Sequence, residues 1–169
     1  NGVPLVTNEQ VNSIVLNASY FPSTREQEKR NEILYNLITL TEKSGVEWND
    51  DLPLVFDANG NIQFKADSDS DIDFLKSLDV LPLNSYATAQ NCFDELVKKF
   101  KLENYSPADA RKIASVCYSL KKIQFSAANP YTFADDVPDT LAANMKENSA
   151  KFQGVDIEVV SRRSYTDGT

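Results

Sequence analysis

Histidine is absent from all 169 residues, cysteine occurs twice and glycine five times. Without imidazole there is no Ser-His-Asp or Cys-His catalysis and no imidazole-ligated metal centre. Two cysteines cannot form a four-thiolate zinc site. The glycines are scattered at Gly2, Gly45, Gly60, Gly154 and Gly168, which excludes a glycine-rich phosphate loop or dinucleotide fingerprint. No apolar run approaches the ~18 residues of a spanning helix. Basic residues are also in deficit: 17 Lys and Arg stand against 25 Asp and Glu, a net charge of -8. Such a surface repels nucleic acid and anionic membranes unless a local basic patch intervenes. Short basic clusters occur at Lys98-Lys99-Lys101, Arg111-Lys112, Lys121-Lys122 and Arg162-Arg163. No cofactor and no resident metal is expected. An enzyme built from these residues would have to use carboxylates, Lys, Tyr, Arg or a bound Mg²⁺ or Ca²⁺.

What is present is ordinary for a globular chain: 41% hydrophobic and 25% charged residues, enough to bury a core without staples. Residues 1–160 read as one domain and 161–169 as a C-terminal tail. The opening Asn1-Gly2-Val3-Pro4 has neither an initiator Met nor a leader pattern, and reads as a processed chain or a fragment of a longer one.

The pattern is α+β and mainly helical. Thr7 with Gln10, followed by Val11, Ile14, Val15 and Ala18, predicts a short helix over 8–18. Ser23 with Glu26 predicts a second helix to Lys43, with Ile33, Leu34, Leu37 and Ile38 facing inward and Gly45 as its stop. Its polar first half, 25–30, is expected to face solvent or a polar partner. Alternation through Leu52, Leu54 and Phe56, then Ile62 and Phe64, about Asn59-Gly60 predicts a β-hairpin near 53–65. Two apolar stripes predict a central αα-hairpin over 87–101 and 107–122, the second helix opened by Ser106-Pro107. A short helix from Asp139 and a further strand near 155–160, able to extend the hairpin into a three-stranded sheet, complete the pattern. Cys92 and Cys117 are nearly symmetric about the αα turn, so both are expected in the seam between the two helices. Free thiols are favoured there over a Cys92–Cys117 disulfide.

Candidate chemistry is sparse. The acidic run Asp67–Asp73 suggests a calcium loop, but no register supplies both the glycine and the final glutamate. Helix capping accounts for it, as it does for Asp135, Asp136 and Asp139. Tyr118 and Lys122, four apart on one helix, read as a surface contact. The interface candidates are Trp48, Tyr131, Phe133 and Tyr20, aromatics beside chain breaks. The residues thus point to a non-enzymatic structural or protein-interaction domain, a subunit or fragment of a larger assembly such as a coat or scaffold. Its partner would be a protein or a second copy. The alternative is a carboxylate-dependent hydrolase or small-ligand module. That reading requires two or more of Asp57, Asp71, Asp73, Asp135, Asp136 and Asp139 to meet in one pocket with raised pKa values.

Overall fold

The computed structural model describes residues 5–166, and side chains from 9 to 161. The fold is α+β, with five α-helices, one three-stranded antiparallel sheet and a separate β-hairpin. The first element is a strand, β1 (Leu5–Leu16), not the expected helix. β1 lies in the centre of the larger sheet, between β4 (Tyr131–Val137) and β5 (Val155–Thr166). Ser13, Ile14, Val15 and Leu16 are all buried in succession. A central strand covered on both faces carries a continuous apolar run, and over a few residues such a run also matches helical spacing. Pairing on both sides decided the outcome.

β5 runs antiparallel to β1 along its whole length, from Leu16 against Val155 to Leu5 against Thr166. The strand expected near 155–160 is therefore real but joins β1 instead of the hairpin. It also continues to Thr166, into the stretch read as a tail. β4, unforeseen in the sequence, pairs with the other edge of β1 with two register shifts near Ile14. Asp136 takes a positive φ of 54° there, consistent with a bulged, strongly twisted edge.

The hairpin forms as β2 (Leu54–Phe56) and β3 (Ile62–Phe64). The loop holds three residues, 58–60, closed by the Asp57 amide donating to Asn61 O at 2.8 Å. Gly60 sits at φ 81°, the left-handed position of a three-residue hairpin loop. The Asp57 carboxylate accepts the Asn59 and Asn61 amides, each at 2.9 Å.

Helix α1 (Gln27–Lys43) follows a 3-10 turn at Thr24–Glu26. It ends in a Schellman pattern, with Val46 N donating to Thr41 O and Gly45 N to Glu42 O. Part of its polar first half is buried. Gln27 donates to Asn31 Oδ1 at 2.8 Å, and Asn31 donates to Phe100 O at 2.6 Å. Phe100 is the C-cap of α3 (Ala89–Lys99). Asn31 thereby satisfies a carbonyl at the end of a neighbouring helix, where no intrahelical donor is left.

α4 (Pro107–Lys122) is capped by Ser106, whose hydroxyl accepts from Asp109 N at 3.2 Å. Residues 113–120 of this helix are buried without a break, so α4 has neighbours around most of its circumference. Cys117 lies within that buried run, and Cys92 is a buried residue of α3. Both are free and buried. Cys117 faces α1, accepting a long contact from Gln27 Nε2 at 3.7 Å.

α2 (Asp69–Leu75) and α5 (Asp139–Glu147) are short. One hydrophobic cluster runs from Ile14 to Phe152 and draws residues from all these helices and from both sheets.

Candidate functional site

The four aromatic interface candidates have different surroundings. Tyr131 and Phe133 occupy inward positions of β4 and are buried. The Tyr131 hydroxyl donates to Asn49 O at 3.2 Å. Trp48 stacks on Phe133, with ring centroids 5.4 Å apart and planes 5° from parallel. Its indole donates to Glu42 Oε2 at 3.1 Å, and Glu42 also pairs with Lys112 at 2.7 Å. Three of the four thus fasten the 46–50 segment to β4, α1 and α4. Tyr20 is 67% exposed.

The acidic candidates are spread through the structure. Asp57 stands at the hairpin loop, where the Asn61 amide, ahead of Gln63 and the Asn59 and Gly60 amides, lowers its pKa. Asp71 lies on α2 against α4. Its carboxylate takes the Lys122 ammonium and the Tyr118 hydroxyl, the latter at 3.1 Å. Lys122, first among the causes, also lowers its pKa. Tyr118 is fully buried, so Tyr118 and Lys122 form an anchor for α2 and not the surface contact expected. Burial, then Asp71, raises the Tyr118 pKa. Asp135 accepts from Ser13 Oγ at 3.2 Å, and Asp139 from Asn12 Nδ2 at 2.7 Å, both beside β1. Asp57 and Asp71 are both held below the ordinary carboxylate range, opposite to what a general acid requires. Among the described residues, no group of three or more His, Cys, Asp or Glu is placed to hold a metal ion.

A second polar cluster also escaped the sequence reading. Arg111 donates to Leu54 O at 2.8 Å and Leu52 O at 3.2 Å, and pairs with Asp50. Ser115 donates to the same carboxylate at 2.6 Å. These bonds lash the 50–54 segment to α4. A fork-shaped guanidinium suits that task, because its several donors are fixed in one plane.

One cleft of about 560 Å³ concentrates positive charge on this acidic molecule. Arg30, Lys99, Lys101, Lys121 and Lys122 line it, with Asp79 as the lining carboxylate. Arg30 is half-buried; its Nε donates to Pro22 O at 2.7 Å and its guanidinium lies 5.1 Å from the Phe21 ring centroid. The basic residues come from α1, from the end of α3 and the turn after it, and from α4, which is why only short basic clusters show in the sequence.

These features define an α+β domain whose distinctive groups fasten segments together or charge its surface. A family model described as the penicillin-binding protein dimerisation domain matches residues 1–169. The chain belongs to that family. The match overturns the coat or scaffold reading and, with it, the hydrolase or small-ligand alternative. Composition excluded many chemistries, but elimination could not indicate which interaction class remained. Among solved structures, the chain is similar to penicillin-binding protein 2B from Streptococcus pneumoniae (strain 5204), at 16% identity and a TM-score of 0.47. That alignment covers 98% of this chain and 24% of the other, so the chain spans about a quarter of its length. A comparison with curated proteins found no match.

Proposed function

We propose that this chain is the self-association module of a longer penicillin-binding protein, and that any penicillin-binding chemistry of that protein lies outside these 169 residues. The observation that carries the reading is the family match over the entire chain, to a domain described by dimerisation. The continuous core from Ile14 to Phe152 supports treating residues 1–160 as one unit, with the length of the β1–β5 ladder extending that unit to Thr166. Of the four aromatic candidates, Tyr20 keeps a ring free for contact with a second copy.

Light scattering coupled to size exclusion tests the reading across a concentration series. The expected mass rises toward twice the 18.9 kDa of one chain. A mass of one chain at every concentration up to the millimolar range would overturn it.

A further inference from the structure

The cationic cleft has a neighbour of opposite charge. Helix α2 carries Asp69 and Asp73 exposed, with Asp67 exposed just before it. The two regions are contiguous. Phe74 of α2 lines the cleft, and the Asp71–Lys122 pair crosses the boundary between them. Between α2 and the cleft residue Asp79 stands Leu78, which is 89% exposed. Leu78 thus stands on the short connection that leads from the acidic helix to the wall of the basic cleft, and an exposed apolar side chain beside regions of opposite charge suits a self-complementary contact. In a twofold contact the same patch meets itself, so each acidic lobe must face the other copy's basic lobe, with the axis between them.

We infer that the face formed by α2, Leu78 and the Arg30/Lys99/Lys101/Lys121 cleft is the surface on which a second copy of this chain docks. The inference rests on the self-association reading above. Leu78 of each copy packs at the axis, and Asp69 and Asp73 of each enter the other's cleft. The apolar centre supplies area removed from water, while the charges set orientation and register. The lysines gain directly: Lys99 is held below its ordinary pKa by burial first and by Lys121 second, and a carboxylate arriving between them offsets the second effect. Arg30 makes no carboxylate contact among the described ion pairs, so its charge is also available to the second copy.

The test uses reciprocal charge reversal. One variant carries Lys101→Glu with Lys121→Glu, at two exposed side chains. The other carries Asp69→Lys with Asp73→Lys. A third, Leu78→Ser, removes the apolar centre. Circular dichroism melts establish that each is folded, and light scattering reads the mass. Each variant alone is expected to raise the dimer dissociation constant at least tenfold. Mixing the two charge variants is expected to restore the dimer, because one contact is then native in sign and the other is reversed on both sides. Should the native chain dimerise while both charge variants and Leu78→Ser dimerise equally well, this face is overturned and the self-association reading stands. Failure of the mixture to recover overturns direct pairing between the lobes. A native chain that stays monomeric overturns both proposals. If one charge variant does not fold, the other together with Leu78→Ser still decides.

Discussion

Cys117 and Tyr131 are both neutral acids in the core, and both are harder to ionise there than in water. Burial pushes the Cys117 thiol up to about 12, against the opposing pull of the Arg30 guanidinium. Burial also pushes the Tyr131 phenol up to about 12, with the Asp51 and Asp50 charges adding to the effect. In an unfolded chain the two groups titrate near ~8.5 and ~10. Each folded-state pKa is raised, so the contribution to stability is complete below the unfolded value and is lost as pH rises through the folded one. The urea midpoint is therefore expected to be flat up to about pH 8.5 and to fall between there and about pH 12. Cys117→Ala and Tyr131→Phe should each flatten that fall. Identical slopes in native and variant proteins would show that neither group ionises at the expense of the fold.

At the scale of elements, polarity and turn chemistry carry most of the information. Amphipathic stripes and caps placed α1, α3 and α4 within a few residues, since a helix writes its buried face into sequence spacing. The hairpin was legible for a similar reason: alternation brackets a turn in which one residue must adopt positive φ. The two loop positions differ in what they need. Gly60 supplies the left-handed conformation, and open space surrounds the position a Cβ would take. Gly60→Val is thus expected to cost about 1–2 kcal/mol, from backbone strain without a clash. Asn59→Pro instead removes the amide that donates to the Asp57 carboxylate. The expected loss is about 1 kcal/mol, plus any cost of fitting the ring. Thermal melts of both variants measure these changes, and unaltered midpoints would contradict the three-residue loop. The strands β1 and β4 were not legible because their partners lie far away in sequence, and short apolar runs match more than one period.

Across the whole molecule, the two halves of the long sheet come from opposite ends of the chain. The junction that closes them is Gly154, whose carbonyl accepts from Asn17 N at 2.8 Å just before β5 begins. Gly154 has a φ of 80°, and a Cβ placed there would lie 2.3 Å from the Phe21 backbone. Backbone cannot yield as a flexible side chain can. Gly154→Ala is therefore expected to destabilise by roughly 2–4 kcal/mol, combining left-handed strain with overpacking. A chemical denaturation curve checks the figure, and a loss below that expected for Gly60→Val would contradict the close approach of Gly154 to the Phe21 backbone.

By itself the sequence determined the α+β class, the three longer helices, the hairpin and the chemistries without the residues to support them. Those properties depend on side-chain type and local spacing, which short segments carry independently of their surroundings. Tertiary structure alone decided the pairing of β1 with β4 and β5 and the use of Trp48, Tyr131 and Phe133 as fastenings. It also gathered Arg30, Lys99, Lys101 and Lys121 into one basic cleft beside acidic α2. The physical reason is the same in each case: contacts and fields depend on distances between segments remote in sequence, and local periodicity fixes which face a residue occupies but not what that face meets.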